Sequence, residues 1–140
     1  MNKEIIRQIP FFSSLNDKET KIILESCKLK KFKKNETVIQ QGNEGFGMHV
    51  IIAGKVDVER DGKKVASLGE SDYFGEMALV SDELRSATIK VTSEDLVTLF
   101  LSKVVFKGIK KSLGEEIKHE IMKRHLDDYG YDYTAPFKFF

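Results

Sequence analysis

The stretch FGEMALVSDELRSAT, residues 74–88, interrupts a strand-forming sequence with a Gly-Glu pair, a short apolar run, an acidic loop and one arginine, Arg85. If Gly75–Ala78 form one helical turn, the first backbone N–H groups of that turn lack internal partners and make a small anion site. Arg85 supplies a forked set of donors that suits phosphate oxygens. Glu76 must then face a neutral donor such as a sugar hydroxyl. The stretch therefore predicts a phosphorylated or cyclised ribose as ligand.

A second interpretation of the same residues needs no ligand. A glutamate and an arginine this close in sequence often form a surface ion pair, which contributes only about 0–1 kcal/mol. On spacing alone, Glu76 and Arg85 fit either interpretation.

The sequence on both sides of this stretch, residues 29–101, is rich in strand and turn signals. Short runs of β-branched and alternating apolar residues recur, and glycines punctuate them. Asp61-Gly62 lies between two such runs at hairpin spacing. About eight short strands at this spacing predict an eight-stranded β-barrel or jelly roll. The expected fold class is mainly β with flanking helices.

Helical patterns flank this β region. Residues 1–28 form an N-terminal helical lead-in with a break at Pro10. Residues 102–140 hold C-terminal helices and an aromatic tail, and the last helix is expected to end near Asp128. One face of that helix is apolar at Leu113, Ile117, Ile121 and Leu126. We therefore expect one domain in three parts.

Composition excludes several classes of protein. A net charge of +1 argues against a dedicated nucleic-acid binder, and no apolar run is long enough for a membrane span or a signal peptide. The single cysteine, Cys27, fits a reducing compartment, so a soluble, cytoplasmic protein is expected. The lysine-rich run that follows it is interpreted as the solvated face of an edge strand rather than a nucleic-acid or lipid contact.

No catalytic or metal-binding constellation is visible. His49, His119 and His125 do not share ligand spacing, and Cys27 has no evident base partner. A metal enzyme of the cupin type is the alternative that such a β-barrel would allow. We predict no catalytic residue, no metal and no enzymatic activity.

Residues 74–88 closely resemble the phosphate-binding cassette of the cyclic nucleotide-binding domain family, in which F-G-E-x-A-L leads through a short loop to an arginine and small residues. Upstream, IQQGNEGFGMHVIIAGKVDV (39–58) looks like the family's strand, glycine loop and strand, and IPFFSSL (9–15) looks like its helical lead-in. The resemblance spans residues 9–126. The matching cassette positions are Phe74, Gly75, Glu76, Ala78, Leu79, Arg85, Ala87 and Thr88.

The resemblance implies a role for each site residue. Glu76 would bind the ribose 2′-hydroxyl and Arg85 the cyclic phosphate. Backbone groups would complete the cradle, at Gly75, Ala78, Ser86 and Ala87. The ligand would be cGMP or cAMP, with no other cofactor. Three aromatic residues near the C-terminus are candidates for a cap that stacks on the base, or for packing against the barrel or a neighbouring domain: Tyr129, Tyr131 and Tyr133.

Two positions depart from the family pattern. Leu84 replaces the usual proline before the arginine, so the loop is expected to be less rigid. Ser71 stands where glycine is common in the preceding turn, and it is strained if that position requires a positive φ.

Ser86 bears on which nucleotide is bound. In the family, the residue after the arginine is threonine in cGMP-dependent kinases and alanine in typical cAMP-binding kinase domains. Ser86 keeps the hydroxyl and favours cGMP, although the bacterial catabolite activator has a similar Arg-Ser-Ala and binds cAMP.

The resemblance implies a regulatory domain, with a cGMP-dependent protein kinase as favoured host and a cAMP-dependent kinase regulatory subunit or an ion channel next. The exposed phenylalanines of the tail indicate a piece of a larger protein. Expected partners are the nucleotide and the neighbouring nucleotide-binding and kinase domains of the same chain. A non-binding structural module with the same fold is the alternative.

Overall fold

A computed structural model of the chain describes residues 3–109 and 111–129, with side chains described for 3–109 and 113–123. The helices are α1 (Lys3–Arg7), α2 (Asp17–Ser26), α3 (Lys103–Lys107) and α4 (Lys111–Tyr129), and two 3-10 helices span Pro10–Phe12 and Glu76–Leu79. The strands are β1 (Lys28–Lys33), β2 (Thr37–Ile39), β3 (Gly47–Ala53), β4 (Val56–Arg60), β5 (Lys63–Leu68), β6 (Tyr73–Phe74), β7 (Thr88–Val91) and β8 (Asp95–Ser102).

The eight strands form two antiparallel sheets of four, in the orders β1-β8-β3-β6 and β2-β7-β4-β5. The predicted mainly-β fold with flanking helices is confirmed, and its form is the jelly-roll sandwich. Within residues 3–109 the strands do not close into a barrel, because the two sheets face each other as separate layers.

Local sequence signals account for the ends of several elements. Asn16 caps α2 in a capping box, since its side chain accepts from the Glu19 N–H and the Glu19 carboxylate accepts from the Asn16 N–H. Asp61 and Gly62 join β4 to β5 with φ of 54° and 79°, as a two-residue hairpin turn requires. The lysines of β1 lie on the edge of the first sheet and are exposed, as expected for a solvated edge strand.

Two apolar layers hold the domain together. The first lies between the helices and the outer face of the first sheet, and it includes Phe11, Phe12, Ile23, Ile117 and Ile121. The second lies between the two sheets and includes Ile51, Val58, Phe74, Ile89 and Leu96.

Strand β3 serves both layers through its alternation. Met48 and Val50 pack in the helix-facing layer, whereas Ile51 packs between the sheets.

The C-terminal helices continue directly from β8. Ser102 caps α3 by accepting a hydrogen bond from the Val105 N–H. In α4 the predicted apolar face is buried at Leu113, Ile117 and Ile121, while the side chain of Leu126 lies outside the described part. The helix extends to Tyr129, one residue beyond its predicted end. None of the described helices has the length and apolar character needed to cross a membrane.

Candidate functional site

The cassette, residues 74–88, begins with a turn that only glycine accommodates. Gly75 has φ of 80°, and the predicted helical turn follows it as the 3-10 helix Glu76–Leu79. A Cβ atom on Gly75 would lie 2.7 Å from Nη1 of Arg85 and 3.0 Å from the Gly47 carbonyl oxygen. A side chain at this position would therefore push the arginine away.

Arg85 is held by backbone carbonyls. Its Nη1 donates to the Gly75 oxygen at 3.1 Å and its Nη2 donates to the Gly47 oxygen at 2.7 Å. Gly45 also lies close, since a Cβ there would meet the Arg85 Cζ at 3.1 Å. The guanidinium thus sits where Gly45 and Gly75 leave room for it, and two charge-assisted hydrogen bonds fix its direction.

The glycine loop, residues 40–46, is hydrogen-bonded to the arginine's own backbone. The Arg85 N–H donates to the Asn43 oxygen at 2.8 Å, and the Gly42 N–H donates to the Arg85 oxygen at 2.9 Å. Sequence analysis assigned the glycines of this loop to turns and missed their contact with Arg85.

Glu76 is buried without a partner. Its side chain is 1% exposed, and neither carboxylate oxygen has a hydrogen-bond partner of normal geometry among the described residues. Burial raises the pKa of Glu76 to about 7, opposed by the residue's own backbone N–H and by the positive charge of Arg85. Because Glu76 is buried and neither of its carboxylate oxygens has a hydrogen-bond partner, it does not form with Arg85 the surface ion pair of the second interpretation of the sequence.

The remaining cassette residues differ in exposure. The Ala78 N–H donates to the Gly75 oxygen at 3.2 Å and closes the 3-10 turn, and Ala87 is fully buried. Ser86 is exposed. Its carbonyl oxygen accepts from Nε of Arg60 at 3.0 Å, and its hydroxyl lies 3.5 Å from Nη2 of the same residue.

Arg60 was missed by sequence analysis. It is the last residue of β4, and the strand pairing of β4 with β7 brings it beside the end of the cassette. A single arginine before a hairpin turn carries no sequence signal for this contact.

Neither of the two residues that depart from the family pattern is buried. Ser71 has φ of 73°, so the turn does place a non-glycine residue in the left-handed region. Leu84 is 58% exposed. Of the three predicted base-cap candidates, Tyr129 ends α4 but its side chain lies outside the described residues, as do Tyr131 and Tyr133 entirely.

His49 lies close to the site but in an apolar setting. Its ring stacks on Phe74 at a centroid distance of 5.0 Å, and its Nδ1 lies 2.9 Å from the Thr98 hydroxyl. Burial, with the nearby charges of Arg85 and Lys30, lowers the pKa of His49 to about 3, so the ring is neutral.

Among the side chains that the structure describes, the other nucleophilic and metal-binding groups form no cluster. Burial raises the pKa of the Cys27 thiol to about 12, which leaves it unreactive at neutral pH. Within the described ranges no three His, Cys, Asp or Glu side chains are grouped for metal binding.

Lys103, the first residue of α3, connects the cassette to the C-terminal helices. Its Nζ donates to the Ser81 oxygen at 3.1 Å and pairs with the Asp82 carboxylate. Its backbone N–H donates to the Phe46 oxygen in the glycine loop at 2.7 Å. The start of the helical region is thereby attached to both loops that surround Arg85.

The jelly-roll sandwich brings the buried carboxylate of Glu76 and the guanidinium of Arg85 together in one cassette. This arrangement is typical of a domain that binds a small ligand. Residues 29–112 match the family model described as "Cyclic nucleotide-binding domain". The chain belongs to the cyclic nucleotide-binding domain family.

The curated relatives include cGMP-dependent protein kinases and regulatory subunits of cAMP-dependent protein kinases. The chain is 35% identical over 131 residues to a cGMP-dependent protein kinase of Plasmodium berghei (strain Anka), which covers 90% of this chain and 15% of the relative. It is 31% identical over 133 residues to the cAMP-dependent protein kinase type II regulatory subunit of Drosophila melanogaster. This match covers 92% of this chain and 34% of the relative. The chain therefore spans only a minor part of these relatives.

Solved structures show the same fold. A structure described as cAMP bound PfPKA-R superimposes with a TM-score of 0.73 at 25% identity, over 96% of this chain and 48% of that one. The N-terminal domain of a transcriptional regulator from Streptomyces coelicolor A3(2) gives a TM-score of 0.76 at 22% identity, over 86% and 91%. The latter shares the fold alone.

Proposed function

We propose that this chain is a regulatory domain that binds a cyclic nucleotide, with cGMP favoured over cAMP, and passes its occupancy to an effector. The observation that carries the proposal is the buried, unpartnered carboxylate of Glu76 in the same cassette as Arg85. A buried polar group without a partner costs about 1–3 kcal/mol and more when charged. A ligand that donates to this carboxylate while giving an anion to Arg85 removes that cost.

The ribose and phosphate of a cyclic nucleotide have the required groups. The 2′-hydroxyl donates to Glu76, and the cyclic phosphate accepts from Arg85. Arg85 uses two of its guanidinium nitrogens on carbonyls, and a guanidinium has five N–H donors, so donors remain for an anion. Backbone groups of Gly75, Ala78, Ser86 and Ala87 complete the proposed phosphate cradle.

The preference for cGMP rests on the hydroxyl of Ser86. This hydroxyl can accept a hydrogen bond from the 2-amino group of guanine, whereas adenine has no amino group at C2. Arg60 competes for it weakly at 3.5 Å and holds the Ser86 carbonyl more closely at 3.0 Å. The relatives include both cGMP-dependent kinases and cAMP-dependent regulatory subunits, so cAMP is the second candidate ligand.

The proposed output runs through Lys103 and the helices that follow it. A ligand can shift an equilibrium only through contacts that differ between two states. Nucleotide bound at Arg85 stabilises the glycine loop and the cassette loop, to both of which Lys103 is attached. α3 and α4 then report occupancy to neighbouring domains.

The favoured host is a cGMP-dependent protein kinase, in which this domain is not itself catalytic. A cAMP-dependent kinase regulatory subunit is the alternative, and Tyr129, Tyr131 and Tyr133 remain candidates for the base cap. A cytoplasmic location accompanies either host.

Calorimetric titration of the purified chain with cGMP and with cAMP tests the proposal. We expect binding of both, with cGMP tighter by about tenfold, or 1.4 kcal/mol. A Glu76→Ala variant should bind either nucleotide more weakly, whereas Glu83→Ala, which removes an exposed carboxylate from the cassette loop, serves as the matched control.

Tighter binding of cAMP than of cGMP would favour a cAMP-dependent kinase regulatory subunit as the host. Absence of heat with both, and an unshifted melting temperature in excess nucleotide, would support the non-binding module instead.

A further inference from the structure

A cavity of about 320 Å³ opens where the two sheets are not joined. β1 pairs with β8 and β2 pairs with β7, so each is the edge strand of its own sheet. The cavity lies between these edges and reaches inward to Arg85. Its volume falls at the lower end of the range for small-molecule sites, about 300–1,000 Å³.

Aromatic rings form much of the cavity lining. The His49 ring lies 4.8 Å from Phe100 and 6.0 Å from Phe32, measured between centroids. Phe46, on the glycine loop, is 67% exposed and completes the lining on the solvent side. Rings in offset or edge-on contact provide a surface on which another planar ring can stack.

The charged groups of the cavity favour a neutral or anionic occupant. Two cations line it, Lys30 and Arg85, against one carboxylate, Glu44. The Lys30 Nζ lies 4.5 Å above the Phe100 ring centroid, at the same wall as the aromatic cluster. His49 adds no charge, since burial keeps its ring neutral.

The cavity is distinct from the cassette site. Of the cassette residues, it is lined by Arg85 and not by Glu76 or the rest of the 3-10 helix. A molecule held there therefore contacts the guanidinium without using the carboxylate on which the proposed nucleotide site depends.

We propose that this cavity, lined by Lys30, Phe32, Phe46, His49 and Phe100 beside Arg85, is a second ligand site for a small planar aromatic molecule that is neutral or carries a carboxylate. The site does not depend on the proposed nucleotide function. Because both sites share Arg85, a ligand bound in the cavity changes the affinity of the cassette for its own ligand. The cassette ligand changes the affinity of the cavity by the same factor.

Fluorescence titration with indole and with indole-3-carboxylate tests this site, because the chain has no tryptophan and the probe's emission is unobscured. We expect indole-3-carboxylate to bind and Phe46→Ala to weaken it at least about fivefold, which is about 1 kcal/mol. Lys30→Glu should weaken the carboxylate probe more than indole. Val65→Ala, which removes a comparably exposed apolar side chain from β5, should leave both unchanged.

Three results would overturn the proposal. One is no binding of either probe up to about 1 mM, a free energy of about −4.1 kcal/mol. Another is equal affinity in the parent, Phe46→Ala and Lys30→Glu. The third is loss of probe binding in Glu76→Ala, which would place the probe in the cassette. Retained probe binding in Glu76→Ala supports a separate site, whether or not the chain binds a nucleotide.

Discussion

The two apolar layers of the domain differ in what they bury. The helix-facing layer buries large apolar side chains, among them Phe11, Phe12 and Ile23, and the polar Thr20 buried in α2 donates its hydroxyl to the Asn16 carbonyl oxygen of the same helix. The interior between the sheets ends at the cassette, where Glu76, His49 and Thr98 are buried as well. The first layer therefore stabilises the fold. In the second, burial of polar groups such as the Glu76 carboxylate lowers the stability of the free chain, and these groups are available to bind a ligand.

Removing a large ring from the helix-facing layer should have the largest effect on stability. Phe11 is 1% exposed and packs against Phe12 and Tyr73, so Phe11→Ala should lower the free energy of unfolding by about 3–5 kcal/mol. Urea denaturation measures the change. Val104→Ala, at an 81% exposed position, should stay within about 0.5 kcal/mol of the parent. A loss below 1 kcal/mol for Phe11→Ala would show that this layer is not the main source of stability.

Removing the arginine from the cassette should affect binding rather than folding. Arg85→Ala removes the positive charge proposed for the phosphate and should weaken nucleotide binding by about 2–5 kcal/mol, while the chain stays folded. Calorimetry gives the affinity and circular dichroism the fold. Arg7→Ala, which removes an arginine paired with Asp17 on the surface, should bind like the parent. Parent-like affinity in Arg85→Ala would make the assignment of the cassette wrong.

The stability of the free chain should depend on pH through Glu76. Its pKa is about 7 in the folded chain against an ordinary 4.5, so the folded state binds more protons between these values and stability falls as pH rises through this window. Glu76→Gln removes the titration and should stabilise the chain by about 1–3 kcal/mol at pH 8, with less or no gain near pH 4.5.

Urea denaturation at several pH values measures this dependence. Glu83→Gln, an exposed carboxylate of the cassette loop, is the control. If Glu76→Gln and the parent had parallel profiles, the carboxylate would not be titrating in a buried site.

The smallest predicted effect concerns Arg60. Arg60→Met removes the hydrogen bond to the Ser86 carbonyl and should weaken binding of both nucleotides by less than about tenfold, in line with about 0.5–1.5 kcal/mol for one hydrogen bond. Lys63→Met removes an exposed cation from the same hairpin and is the matched control in the titration. A loss as large as that of Arg85→Ala would mean that Arg60 contacts the ligand directly.

Much of the fold follows from sequence because its signals are local. The Asp61-Gly62 hairpin and the Asn16 capping box depend on residues within three positions of each other. The choice between barrel and sandwich depends on which edge strands pair. That choice is a long-range property that strand count alone does not determine.

The side chains of the site that belong to a sequence motif were predictable, whereas the backbone groups that position them were not. Glu76 and Arg85 are named by the cassette pattern. The carbonyls of Gly47 and Gly75 that orient the guanidinium have no side-chain signature, so their role emerged only from tertiary structure. The same holds for Arg60 and for the cavity between β1 and β2, which strand pairing brings to the cassette.

The central claim is that Glu76 accepts a hydrogen bond from the ribose 2′-hydroxyl of a cyclic nucleotide. The most direct test is a cycle of four calorimetric affinities, for cGMP and 2′-deoxy-cGMP with the parent and with Glu76→Ala. The account predicts that loss of the hydroxyl costs about 1.5–3 kcal/mol in the parent, as for a hydrogen bond to a charged group, and almost nothing in Glu76→Ala. An equal cost in both chains would contradict it, because the hydroxyl would then be bound elsewhere.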